Sequence, residues 1–267
     1  MTILEVEDLT VAFGDHVALK DISFAVSAGE VFTIFGGSGC GKSLLFSAIT
    51  GLLAPTGGTV KLFDQNIHRL AGHQWTQVQQ RIGTALYGGA LLKSLSVLEN
   101  IKLPLIEIGG QSDAEAEERA MSLLRRMHLR NVARLLPKSL SRGEVQRVGL
   151  ARALALRPEI LICDDVLAGL DWRTREDLVG FLEELRQSIG LAVVLFTPLP
   201  ELCFRMADRM AILNAGEIIA TGTPGEIENL DDPVIEDVFL SQFEAMRQFG
   251  RGATRNGPEQ VGDGGAP

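Results

Sequence analysis

Two rhythms of apolar and polar residues alternate along this chain. Ile3-Leu4-Glu5-Val6-Glu7-Asp8-Leu9 and Ile22-Ser23-Phe24-Ala25-Val26 follow a period of two, which predicts antiparallel strands with one solvated face. Val31-Phe32-Thr33-Ile34-Phe35, Ile160-Leu161-Ile162-Cys163 and Leu191 to Thr197 are apolar almost throughout, the pattern of strands buried on both faces. Thr59 to Asp64 and Gln80 to Leu86 predict two further short strands. Ser112 to His128 has a different period: Ala116, Ala120, Leu123, Leu124 and Met127 recur at helical spacing, and the segment opens with acids that suit a helix dipole. Ser96 stands three residues before Glu99, the spacing of a capping box. Residues 88 to about 150 are therefore expected to form a helical subdomain inserted in an α/β core. Further on, Val234, Ile235, Val238, Phe239, Phe243 and Met246 share one face of an expected terminal helix over 233–249, which closes a folded unit of residues 1–249. Residues 250–267 hold Gly, Pro, Arg and acids with almost no apolar side chains, and a disordered tail is expected.

With 267 residues, 46% of them hydrophobic and 22% charged, the chain can bury one substantial core and a smaller second one. It has no basic leader and no run of about 18 apolar residues, so neither a signal peptide nor a membrane span is expected. A membrane role would then come through a partner. The net charge of −9 argues against a nucleic-acid or anionic-lipid surface, because both need concentrated basic charge. Cys40, Cys163 and Cys203 lack C-x-x-C spacing and read as free thiols of a reducing compartment.

The chemistry is concentrated in Gly36-Gly37-Ser38-Gly39-Cys40-Gly41-Lys42-Ser43, a full match to G-x-x-x-x-G-K-[ST] between an expected strand and an expected helix, Leu44 to Ile49. Glycines let consecutive backbone N–H groups turn inward, and the helix start adds its positive dipole end, which together cradle phosphates. Lys42 is expected to reach the β- and γ-phosphates of a nucleoside triphosphate, and the Ser43 hydroxyl to ligate Mg²⁺. Upstream, Phe13 is either a ring for an adenine to stack on or a core phenylalanine of a hairpin. Asp164 and Asp165 end an apolar strand, where two acids are costly unless a cation or hydrogen bonds meet them; Asp164 is the expected Mg²⁺ link.

Beyond this loop, Leu140-Ser141-Arg142-Gly143-Glu144, the strand ending at Asp164, and Ala168-Gly169-Leu170-Asp171 follow in the order found in ATP-binding subunits of ABC transporters, which the chain resembles over residues 3 to about 230. The resemblance implies a P-loop NTPase core, a mixed sheet with helices on both faces, an antiparallel β subdomain and an inserted helical one. It also implies ATP hydrolysis with Mg²⁺, a transmembrane permease partner, a cytoplasmic position against the inner face of the membrane, and no nucleic acid. Two copies, or this chain and a paralogous ATPase subunit, would pair head to tail, with Ser141 and Gly143 of one offered to the γ-phosphate on the P-loop of the other. A helix N-terminus suits that task, although Ser141 alone also reads as a plain N-cap. Tyr87-Gly88-Gly89-Ala90-Leu91-Leu92, the dipeptide Glu99-Asn100 and Leu103-Pro104-Leu105 are similar to the Mla-type lipid-trafficking members, so a lipid or hydrophobic cargo is expected.

Three positions depart from the family's hydrolytic set. Its Q-loop glutamine is Tyr87 here, and a phenol is a poorer Mg²⁺ ligand. Its water-polarising glutamate is Asp165, whose carboxylate sits on the order of 1.5 Å further back, a misplacement that can cost about 10²-fold in rate. Its switch histidine is Thr197, which lacks an imidazole's reach and charge. Nucleotide binding is thus expected to be whole and turnover low, with a hydrolysis-deficient regulatory subunit as the alternative. Arg142 replaces a usual glycine and either touches phosphate or lies in solvent.

Overall fold

A computed structural model describes residues 1–241. The chain starts as a long hairpin, β1 (Thr2–Phe13) and β2 (His16–Ser27), turned by Gly14 at φ +59°. The alternation of Leu4, Val6, Leu9 and Val11 buries one face of β1, and the pairing runs past the expected strand ends to Phe13↔His16. β4 (Gly57–Leu62) and β5 (Gln65–Asn66) complete a four-stranded antiparallel sheet in the order β2-β1-β4-β5. The strand expected over Thr59 to Asp64 is thus shifted toward its start, because Phe63 and Asp64 take left-handed φ values of 53° and 62° and turn the chain.

The second sheet has six strands, beginning with β3 (Val31–Phe35), which runs through the glycine-rich loop into α1 (Lys42–Ile49). After β5 comes α2 (His73–Gln80), so Gln80 ends a helix and the strand expected to begin there is β6 (Ile82–Leu86). Three helices follow: α3 (Val97–Glu107), α4 (Asp113–Arg126) and α5 (Arg142–Ala153). Each begins with a capping box, Ser96 with Glu99, Ser112 with Glu115 and Ser141 with Glu144. Then come β7 (Ile160–Asp164), α6 (Trp172–Ile189), β8 (Ala192–Thr197), α7 (Pro200–Met206), β9 (Arg209–Asn214), β10 (Glu217–Gly222) and α8 (Pro224–Glu228).

Strand order in this sheet is β10-β9-β3-β8-β7-β6, parallel from β9 to β6, with β10 antiparallel at one edge. β3, β7 and β8 are buried on both faces, as their apolar runs require. One face packs on α3, α4, α5 and α6 through residues such as Ile101, Leu124, Val148 and Leu182; the other packs on α1 and the antiparallel sheet through Phe32, Phe46 and Leu62. A third, smaller cluster joins Phe35, Ile212, Ile227, Ile235 and Val238.

A helix occupies 233–241, where Ile235 and Val238 are buried and Phe239 stacks on Phe35 at 4.6 Å, while Val234 is exposed. The remainder of the expected terminal helix, with Phe243 and Met246, and the expected tail over 250–267 lie outside the described residues. All three cysteines are free and buried.

Candidate nucleotide site

The sheet topology assembles the site, because the chain segments that leave the parallel strands β3, β8, β7 and β6 emerge side by side at their carboxyl ends. Phe35 is in register with Thr197, Asp164 with Phe196, and Leu86 with Asp164. The glycine-rich loop, Thr197, Asp165 and Tyr87 are therefore neighbours although they are up to 161 residues apart in sequence. Ligands of open parallel sheets bind at such carboxyl ends.

The loop is shaped for an anion. Gly39 and Gly41 hold φ values of +79° and +110°, and a side chain on Gly41 would lie 2.6 Å from Leu19. At Gly36 a Cβ would run into the Leu213 carbonyl and come within 2.7 Å of the Cys40 sulfur. The Lys42 ammonium donates to the carbonyls of Gly36 at 2.7 Å and Gly37 at 2.6 Å, so the loop curls around its own cation. A phosphate would compete for that ammonium with these neutral carbonyls, and charge-assisted bonds are about twice as strong. Gly37, Ser38 and Cys40 fill the rest of the curl, with Cys40 buried against the core of the antiparallel sheet.

The Ser43 hydroxyl donates to Asp164 Oδ2 at 3.1 Å, which sets an oxygen pair beside Lys42. Among the described residues no three His, Cys, Asp or Glu side chains converge on a metal position. A cation here would take one hydroxyl and one carboxylate from the protein and the rest from phosphate and water, as Mg²⁺ does. Burial raises the Asp164 carboxyl, opposed by Ser43 and Lys42. Asp165 is more perturbed: burial, then the neighbouring Asp164, lift it to about 6 against the pull of Lys42 and Arg142. Its Oδ1 is buried without a hydrogen-bond partner and its φ is +52°. A strained backbone and an unsatisfied carboxylate oxygen at a pair of adjacent acids are chemically suited to a cation.

The remaining expected residues divide. Ser141 closes its capping box, donating to Glu144 Oε2 at 2.8 Å and accepting from the Glu144 N–H at 3.3 Å. Gly143 lies in the first turn of α5, where an added Cβ would make only ordinary contact with Leu170. Thr197 is fully buried and its hydroxyl accepts from the Leu199 N–H at 3.1 Å, which ties it to the turn into α7. Phe13 is 53% exposed at the hairpin tip, so the alternative of a core phenylalanine is excluded. Tyr87 is 44% exposed, and the Arg142 guanidinium lies over its ring at 4.9 Å, which answers the question of where that arginine goes.

Two contacts have no counterpart among the residues expected from the sequence. The Gln146 amide donates to the Ala168 carbonyl at 2.8 Å and binds α5 to the loop after Asp165. Asn100, fully buried, accepts from the Leu92 N–H and donates to the carbonyls of Leu92, Leu95 and Ser96 at 2.9 to 3.1 Å. The visible signal for it was the Glu99-Asn100 dipeptide, whose amide latches the loop that follows Tyr87. Close to it, Thr50, Trp75, Thr84, Leu103, Pro104, Glu107 and Arg152 line an open groove of about 490 Å³ between α2 and α3.

A family model described as ABC transporter matches residues 19–168. Among curated relatives, the methionine import ATP-binding protein MetN of Caulobacter vibrioides is 36% identical over 245 residues, covering 91% of this chain and 70% of its own length. MetN of Xanthomonas euvesicatoria pv. vesicatoria is 38% identical over 211 residues, 79% of this chain and 63% of that protein. The chain thus spans roughly two thirds of these relatives. Among solved structures, the dimeric bacterial ABC transporter cassette MJ0796 superposes with a TM-score of 0.78 at 31% identity, covering 83% of this chain and 99% of that one. CbiO1 of Clostridium perfringens, part of the cbiONQ transporter complex, gives a TM-score of 0.74 at 26% identity.

Proposed function

Because the chain belongs to the ABC transporter family as an ATP-binding cassette, we propose that it binds Mg-ATP and hydrolyses it slowly to drive a membrane permease. The observation that supports this most is the meeting of Lys42, Ser43 and Asp164 at the carboxyl ends of β3 and β7, with the Ser43–Asp164 pair at 3.1 Å. Lys42 exchanges its own loop carbonyls for the β- and γ-phosphates, and the loop N–H groups and the start of α1 hold the remaining charge. Mg²⁺, when bound between Ser43 and Asp164, supplies charge neutralisation of the phosphates.

Two such cassettes close over the nucleotide, with Ser141 and Gly143 of one facing the γ-phosphate held by the other. The dimeric form of MJ0796 is the precedent for that arrangement. Phe13, exposed at its hairpin tip, is the proposed adenine platform. No described helix is long and apolar enough to cross a membrane, and a membrane permease is the proposed partner. Its contact is proposed in the groove between α2 and α3, where Trp75, Leu103 and Pro104 offer an apolar floor.

Slow turnover is proposed from the three altered positions. Asp165 is set back and protonates more readily than an ordinary carboxylate, Tyr87 is engaged by Arg142, and the Thr197 hydroxyl is engaged by its own turn. A lipid cargo finds no support in the relatives, which are methionine import proteins. Methionine is accordingly the first cargo to assay.

The test is equilibrium ATP titration together with steady-state phosphate release. Lys42→Ala is expected to weaken ATP binding at least tenfold, and unchanged affinity would refute the site. Tyr87→Gln, Asp165→Glu and Thr197→His in one chain are expected to raise turnover by about 10²-fold or more. A wild-type rate already near a few per second with no gain on restoration would show that other residues activate the water.

A further inference from the structure

Arg142 is the wrong charge for its place. It is the first residue of α5, where the helix dipole disfavours a cation, and the capping needs of that end are already met by Ser141 and Glu144. Among the described residues it makes no ion pair within 4.0 Å of any carboxylate, although its charge is felt by Asp165. Its guanidinium instead rests on the face of Tyr87 at 4.9 Å and against the Ala168-Gly169-Leu170-Asp171 loop, where a Cβ on Gly169 would lie 3.5 Å from its Cζ. A cation on an exposed ring gains little compared with one on a phosphate. Both partners are departures from the family pattern, the arginine for a glycine and the tyrosine for a glutamine, and each is the ring or charge that the other needs.

We propose that Arg142 is a positioning residue with two alternating partners: the Tyr87 ring of its own chain before ATP closes the dimer, and the γ-phosphate on the opposite P-loop afterwards. The proposal rests on the two-cassette reading above. Between Ser141 and Gly143, Arg142 is carried to the partner's nucleotide by the same helix end, and its long side chain has only to leave the ring. Holding Arg142 aside keeps its charge off a phosphate until the partner's nucleotide arrives. Releasing Tyr87 at that moment changes the contacts of the first residue after β6, a strand that reaches the proposed permease groove through Thr84. The exchange thus couples γ-phosphate contact to Tyr87 without a glutamine in the Q-loop.

Tyr87 is the sole tyrosine of the chain, so 3-fluorotyrosine incorporation gives a single ¹⁹F resonance. Mg-ATPγS is expected to shift that resonance toward its position in Arg142→Ala, and Mg-ADP, which lacks the γ-phosphate, to leave it in place. In Ser141→Arg, which blocks dimer closure, the nucleotide analogue should bind without moving the resonance; this separates closure from mere occupancy of the chain's own P-loop. Light scattering on the same samples should show Arg142→Ala needing roughly 10- to 100-fold more nucleotide for half-dimerisation, the loss of one charged hydrogen-bonding partner. Arg142→Lys should recover part of that loss. Dimers that form with an unmoved resonance, or with equal ease in Arg142→Ala, would overturn the exchange while leaving the two-cassette reading intact. No dimer in the wild-type chain would overturn both.

Discussion

At Gly36 one hydrogen atom decides whether the phosphate loop exists. Any side chain there meets the Leu213 carbonyl and the Cys40 sulfur, and backbone atoms of β9, paired on both sides, do not give way. Gly36→Ala is therefore expected to weaken ATP binding at least tenfold and to lower the urea midpoint; equal binding and stability would show that the loop relaxes around a methyl group. The glycine pattern made this loop legible from sequence, since motif and strand-loop-helix context agree. Thr197 shows the limit of such reading. Its position was found from the order of motifs, but only the structure shows its hydroxyl committed to the Leu199 N–H. Arg142 and Tyr87 were each visible as a substitution, while their contact across 55 residues was not, because no local periodicity encodes a ring and a guanidinium brought together by tertiary packing.

Among the elements, the loop from Tyr87 to Ser96 is held by Asn100 and by Arg152, whose guanidinium donates to the carbonyls of Gly89 at 3.1 Å and Ala90 at 3.0 Å. Asn100 makes four hydrogen bonds to its backbone from a fully buried site, so Asn100→Ala leaves the Leu92 N–H and several carbonyls without that partner. The expected cost is about 2–4 kcal/mol at roughly 1 kcal/mol per bond. Trypsin should cut after the exposed Lys93 faster in this variant than in wild type; equal cleavage and an unchanged denaturation midpoint would show that the latch is dispensable. The stretch from Tyr87 to Leu105, read as a sign of a lipid cargo, has a role in the cassette itself: Leu91 packs on the core and Asn100 binds the loop. Helix starts were legible where Ser and Glu stand three apart. Pro104 was not legible as a helix residue, yet it sits inside α3, and Ile108 and Gly109 both donate to its carbonyl.

For the whole molecule, the apolar runs named the buried strands but not their order, since β3, β8, β7 and β6 are neighbours that follow no sequence rule. That order places the P-loop beside Asp164 and leaves the two tryptophans on different working surfaces. Trp75 is half-buried in the groove proposed for the permease, and Trp172, 70% exposed, follows Asp171, which caps α6. Light absorbed by these indoles is thus emitted from two surfaces to which the proposed function gives separate tasks, and the protein carries its own pair of optical reporters. In Trp75→Phe, ATP-driven closure should shift the Trp172 emission to shorter wavelength as the ring leaves water, with no shift for Ser141→Arg. In Trp172→Phe, the Trp75 signal should stay constant through nucleotide addition in solution and change when the permease is added. An emission spectrum that answers only the nucleotide, or only the membrane partner, would tell which of the two surfaces had been engaged, without a label on either protein.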